Sequence, residues 1–246
     1  MTLALPVLLW AASCLVPGQV PEEPQSYLWP ELNTGQEASK CSPEPYDLKE
    51  GDLVFYIHRW FYLHYHIGFR LLASGPPFHS GIVVRRCDGQ LALLEAKPYS
   101  DNYVHLLEVQ PRLVTYSSWQ GEVWVRRLRD PLMPEQSARL TAFAEEQNGK
   151  RFALLRLCLE ITPFGAHGPI RSHIWGSTCV DRPTWFCSEL VAAAIISTGL
   201  APSGKLCPNT FFPRDLFRDN SHCQLPDYER AALWTPDPCL PSTRNH

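Results

Sequence analysis

Apolar residues gather along this chain in two kinds of pattern, short β-prone runs in the first half and longer stripes at helical spacing in the second. A turn at Gly51 feeds Leu53-Val54-Phe55-Tyr56, so order is expected to begin near Asp47 and the first core strand to follow. Three more strand candidates are Gly81 to Arg85, Leu91 to Ala96 and Glu122 to Arg127, which together predict an antiparallel meander. Between Ile57 and Ser74, an aromatic stretch from Trp60 to Leu72 has roughly helical apolar spacing and is expected to pack over the sheet near the entrance to a site. Pro134 to Gly149 reads as an amphipathic helix with proline at its start and glycine after its end, facing Leu140, Phe143 and Ala144 to the core. Cys158 to Pro183 resembles a long surface excursion, after which a strongly apolar helix runs from Cys187 to Gly199. A short helix opening at Pro213 follows within Phe211 to Leu216.

The two ends differ from this middle. An apolar run from Leu3 to Leu15 followed by Val16-Pro17-Gly18 predicts a signal peptide over residues 1–20, although no positive charge precedes it. A lipoprotein box ending at Cys14 has Ala11 where that pattern prefers leucine. Residues 21–45 are rich in Pro, Glu, Ser and Gln and predict a flexible leader; 46–220 would form one catalytic domain, and 221–246 a Pro- and Cys-containing tail. At 246 residues, 45% of them hydrophobic, the chain can bury one sizeable core. Its net charge of -3 contains no block of like charges, so nucleic acid is not an expected partner. Nine cysteines are many for a reducing compartment. They predict a secreted or lumenal protein with disulfides, the group Cys207, Cys223 and Cys239 holding the tail, with connectivity undetermined.

The chemistry concentrates in two segments, Phe78-His79-Ser80-Gly81-Ile82-Val83-Val84 and Trp185-Phe186-Cys187-Ser188-Glu189-Leu190-Val191. A cysteine opening an apolar helix sits where backbone N–H groups and the helix dipole favour a thiolate, and a histidine entering a strand can take its proton. Cys187 would be the nucleophile, its own N–H an oxyanion donor, and His79 the base. The plainer reading makes Cys187 a small buried hydrophobe; the pairing with His79 and the Gly51-Asp52-Leu53-Val54-Phe55 strand tips the balance. Trp185 and Phe186 would wall off water, and with Tyr56 would border the substrate. His58, His64 and His66 have no acidic or cysteine ligand beside them, so a zinc site is not expected, and His105, His167 and His173 read as surface or loop residues.

In order and spacing, Gly51-Asp52-Leu53-Val54-Phe55, His79 to Val84, Leu94-Glu95-Ala96, Val123 to Leu128, Phe186 to Val191 and Pro213-Arg214-Asp215-Leu216 resemble the permuted papain-like amidases of the YaeF/YiiX type. That group lies in the wider NlpC/P60 superfamily, and the resemblance spans about Asp47 to Phe217. It implies an α+β, circularly permuted papain-like fold: an antiparallel sheet packed against helices, with histidine ahead of cysteine in the chain. By the same resemblance Cys187 is the nucleophile, His79 the base and Glu95 the group that orients the imidazole. Glu95 suits the role, since it stands between Leu93, Leu94 and Ala96 on a strand that would pair with that of His79. Glu189 is assigned to structure or to the substrate rim. The implied activity is amide hydrolysis through a thioester acyl-enzyme, with no metal or organic cofactor. Trp60 to Phe69 and Cys158 to Pro183 look longer or more apolar than the plain bacterial enzymes have, as a lid or lipid-facing mouth would be. The partner therefore stays open among a small molecule, a peptide amide and a lipid, membrane-surface contact included. A lipid acyltransferase or phospholipase of the same superfamily, or a silent secreted binding protein, are the alternatives.

Overall fold

A computed structural model describes residues 25–30, 42–58, 76–97, 101–119, 121–154, 181–201, 207–218, 225 and 227–239. In chain order the elements are β1 (Tyr27–Pro30), β2 (Glu44–Pro45), β3 (Leu53–His58), β4 (His79–Arg85), β5 (Leu91–Ala96), β6 (Val104–Glu108), α1 (Val109–Trp119), β7 (Gly121–Arg126), α2 (Pro134–Gln147), β8 (Arg151–Phe152), β9 (Thr184–Trp185), α3 (Cys187–Thr198), α4 (Pro213–Arg218) and β10 (Ala232–Thr235). The fold is α+β. Eight strands make one antiparallel sheet in the order β2-β1-β10-β7-β3-β4-β5-β6, while β8 and β9 form a separate parallel pair.

Both faces of the sheet are covered, which is why β3 and β4 read as nearly continuous apolar runs rather than as alternating ones. Leu53, Phe55, Ile82, Val84, Ala92 and Leu94 face Leu140, Phe143 and Ala144 of α2 and the body of α3. On the other side Val54, Tyr56, Val83, Leu93, Val123 and Val125 face Val109, Leu113 and Tyr116 of α1. Each large side chain buried in this way contributes about 1.5–3 kcal/mol.

The helices follow their sequence signals. Pro134 opens α2 where its missing N–H costs nothing, and Gln136 Oε1 accepts from the Met133 N–H at 2.9 Å. Every residue of α3 except Ser197 is buried, as expected of a helix apolar all round, and Gly199 ends it in the left-handed region at φ 83.

Two expectations need correction. Glu122 to Arg127 does not continue a meander beside Leu91 to Ala96: β7 lies between β3 and β10, and β5 stands between β4 and β6, the last a strand that the apolar pattern does not predict. Tyr27–Pro30 is not leader and Ala232–Thr235 is not tail, for they pair with each other, and β10 pairs with β7. Leu28 and Trp234 are buried, and Trp29 Nε1 donates to Thr235 Oγ1 at 3.2 Å. Strands this short owe their order to an edge offered from some two hundred residues away, and Pro- and Glu-rich flanks mask them in any composition window. Among the described residues Cys87, Cys187, Cys207 and Cys239 carry free thiols, so Cys207 and Cys239 are not joined to each other.

The signal segment, the aromatic stretch Trp60 to Leu72, most of the excursion Cys158 to Pro183, and Cys14, Cys41, Cys158, Cys179 and Cys223 lie outside the described residues. Among the described residues no helix is long and apolar enough to cross a membrane.

Candidate active site

Cys187 is the first residue of α3, preceded by Phe186 at the N-cap. Phe186 has no side-chain acceptor to offer the first turn; its own N–H is taken by Glu189 Oε2 at 3.2 Å, one half of a capping box. Glu189 is fully buried in this role, which gives it to structure and not to a substrate rim. The first N–H groups of a helix lack intrahelical partners, so the thiol sits beside oriented donors at the positive end of the dipole. The residue is 2% exposed.

His79 is the first residue of β4 and is 8% exposed. Its position at a strand end matters, because its own face of the sheet belongs to α1 while α3 covers the other. Only there can a ring from one face meet a thiol from the head of the helix on the opposite one. Cys187 and Glu95 both favour the protonated imidazole, whose Nε2 stands 3.4 Å from Glu95 Oε2, an ion pair when the ring is protonated. Tyr56 stacks on the ring with centroids 5.2 Å apart.

Register explains how Glu95 gets there. Tyr56 pairs with His79 across β3 and β4, and Gly81 pairs with Glu95 across β4 and β5, so Tyr56, His79 and Glu95 share one face. A Cβ on Gly81 would stand 3.0 Å from Glu95 Cγ and 3.1 Å from the Leu94 carbonyl oxygen. The missing side chain is the space through which Glu95 passes.

Glu95 is fully buried and well supplied with partners. The Tyr56 hydroxyl donates to Oε1. Arg112, on α1, brings its Nε to 3.4 Å from Oε1 and 3.2 Å from Oε2, and Lys97 Nζ lies 4.0 Å from Oε2. The Arg112 guanidinium rests over the rings of Tyr56 and Tyr116, 5.1 and 5.6 Å from their centroids.

Charge follows from these contacts. Burial alone would raise the Glu95 pKa, but His79, then Arg112 and the Tyr56 hydroxyl, bring it down to about 2. Burial would likewise lower that of His79; the Cys187 sulfur and the Glu95 carboxylate outweigh it and lift the ring to about 9. Burial and the neighbouring carboxylate push Tyr56 well above the ordinary phenol range, so it stays a hydrogen-bond donor. At neutral pH the imidazole is protonated and the carboxylate ionised, so the ring beside the sulfur has a proton to give.

Of the expected site residues, Cys187, His79 and Glu95 are brought together, whereas Tyr56 and Trp185 have no exposed surface. Tyr56 is a support for Glu95. Trp185 donates from Nε1 to Gln147 Oε1 at 2.9 Å and meets Phe143 edge-on, so it anchors the segment leading into α3. Phe186, 6% exposed, packs on Phe152. His58 meets the edge of Tyr116, and His105 bonds Asp101 at 2.8 Å; His64, His66, His167 and His173 lie outside the described residues. Among the described residues no group of three His, Cys, Asp or Glu side chains is arranged to hold a metal.

Arg112 is not among the residues expected at the site from the sequence. The signal for its helix was there: Val109, Leu113 and Tyr116 form an i, i+4, i+7 stripe, and Pro111 falls in the first turn.

No protein-family profile matches the chain, and no curated protein does. Among solved structures, the crystal structure of the metalloprotein yiiX from Escherichia coli O157:H7 aligns at a TM-score of 0.41 and 19% identity, over 63% of this chain and 68% of that one.

Proposed function

We propose that the chain is a cysteine hydrolase with a circularly permuted papain-like arrangement, cleaving an amide through a thioester acyl-enzyme. The observation that carries this reading is the row Cys187, His79 and Glu95: two residues of adjacent strands and a cysteine far down the chain, with the sulfur at a helix head beside an imidazole that a buried carboxylate faces at 3.4 Å. Its chain order, histidine before cysteine, is the one the resemblance implies.

The thiolate of Cys187, its proton held on His79, attacks the carbonyl carbon and forms the C–S bond. Negative charge moves to the carbonyl oxygen, where the N–H of Cys187 is a donor. As the C–N bond breaks, the imidazolium gives its proton to the departing amine. Water, deprotonated by the now neutral ring, attacks the thioester, and the acid product leaves with the sulfur regenerated. Glu95 keeps the ring turned toward the sulfur and stabilises its charged form. The route requires no metal or organic cofactor. A peptide amide in a secreted or lumenal setting is the substrate this reading favours, because the residues around the nucleophile, Phe186-Cys187-Ser188-Glu189, differ from those of the lipid-acting branch.

Limiting iodoacetamide tests the pair, followed residue by residue with mass spectrometry, the exposed Cys87 serving as an internal reference. Cys187 should label faster in the folded chain than in urea, and His79→Ala should abolish the excess. Equal rates folded and unfolded would sink the nucleophile. Peptide amides assayed against phospholipids and thioesters then divide the substrate classes, and turnover of the lipid set alone would overturn the amide.

A further inference from the structure

A carboxylate that orients a histidine faces a difficulty when the ring passes its proton on, because its buried charge then loses a counter-ion. For Glu95 the surroundings supply a second one. On β4 it faces His79, which also neighbours Cys187, and the side-chain-free Gly81; on β3 it faces Tyr56; on α1, Arg112 and Tyr116; just past the end of its own strand, Lys97. Its register partner on β6, His105, is turned to Asp101 at 2.8 Å. Arg112 touches both carboxylate oxygens and, like the Tyr56 hydroxyl, carries a proton at every working pH. Lys97 is more distant, at 4.0 Å, and burial lowers its hold on a proton.

We propose that Arg112, seconded by Tyr56, is the positioning residue of this site, holding Glu95 ionised and in place whether or not His79 carries its proton. This rests on the Cys187–His79 reading for its catalytic meaning. Arg112 touches no reacting atom; it acts through Glu95. Its guanidinium is itself pinned between two aromatic faces, so the clamp is a fixed point and not a mobile surface pair. The consequence is an order of events: the proton moves between sulfur, ring and substrate, and never comes to rest on Glu95.

The test is the titration of the Glu95 carboxyl, read by its carbon-13 shift in the full chain, beside the pH profile of Cys187 alkylation. Arg112→Gln should raise the Glu95 midpoint by about one pH unit or more, the effect of losing an opposite charge at contact, and carry the acid limb of alkylation up with it. Arg112→Lys should restore most of both, and Tyr56→Phe should raise the midpoint by less. Should Arg112→Gln fail to fold, Tyr56→Phe decides: an unmoved Glu95 midpoint overturns the proposal, as it does in a folded Arg112→Gln. A purely structural arginine would change the melting temperature and leave both titrations where they were. If wild-type Cys187 labels no faster than the unfolded chain, the hydrolase reading falls, while the carboxyl titration still judges the hold of Arg112 on Glu95.

Discussion

Two carboxylates in this molecule are equally buried and behave in opposite ways. Asp52, at the head of β3, accepts the Tyr46 hydroxyl at 2.8 Å, the Lys49 N–H at 2.9 Å and the Leu128 N–H at 3.1 Å, all neutral donors. Burial outweighs them and raises its pKa to about 6. Glu95, near the end of β5, faces His79 and Arg112, and is held at about 2. The neutral donors around Asp52 leave the burial of its charge undercompensated, whereas the counter-ions at contact hold Glu95 ionised. The first carboxylate ties a turn and two strand ends together, at a cost when it ionises. The second is kept charged in the interior by the imidazole and the guanidinium beside it.

The sharpest way to break this contrast is through pH. A carboxylate with a raised folded pKa contributes stability that is present below its ordinary value, near 3.8, and lost as pH climbs through about 6. For Asp52 this is on the order of 3 kcal/mol, from the shift between those two values. Asp52→Asn should therefore flatten stability between pH 4 and 6, checked by urea unfolding at a series of pH values; an unchanged slope there would remove Asp52 from the account. The Glu95 contribution has the opposite sense, present above its ordinary 4.5 and lost as pH falls toward 2, while that of His79 is present below 6.5 and lost as pH rises through about 9.

A second test takes away the charge instead of the proton. Glu95→Gln leaves the imidazolium without its anion, and alkylation of Cys187 at pH 7 should slow by about tenfold to a hundredfold while that of Cys87 is untouched. If the two thiols slow equally, Glu95 does not act through His79. The smallest effect should come from geometry alone. Gly81→Ala places a methyl group against Glu95 Cγ and the Leu94 carbonyl, which overpacking would make about 1–3 kcal/mol less stable, with Cys187 alkylation about tenfold slower as the carboxylate is displaced. A variant with normal alkylation and a lowered melting temperature would show that Glu95 has room to yield.

How much of this was readable beforehand depends on how local the signal is. The runs Leu53–His58 and Leu91–Ala96 and the helices opening at Pro134 and Cys187 carry their periodicity and caps within a dozen residues, and each stands close to where it was expected. The strands Tyr27–Pro30 and Ala232–Thr235 do not, since each is ordered by pairing with the other. The same holds for the site. Cys187 at a helix head and His79 at a strand start are visible as residue types in suggestive places, but a tyrosine on a strand, such as Tyr56, does not declare which face it occupies, or what covers that face.

By itself, then, the order of amino acids determined the local elements, the helix that presents Cys187, and the short list of residues able to do acid–base and thiol chemistry, because propensity, capping and periodicity act over a few neighbours. Only the tertiary structure decided which of those residues meet. It placed Gly81 opposite Glu95 to open a path, set α1 across the sheet so that Arg112 reaches a buried carboxylate, and brought β1 and β10 into the sheet from the far ends of the chain. Those outcomes depend on register and packing between distant segments, where a one-residue slip would turn Glu95 to the other face and dissolve the row.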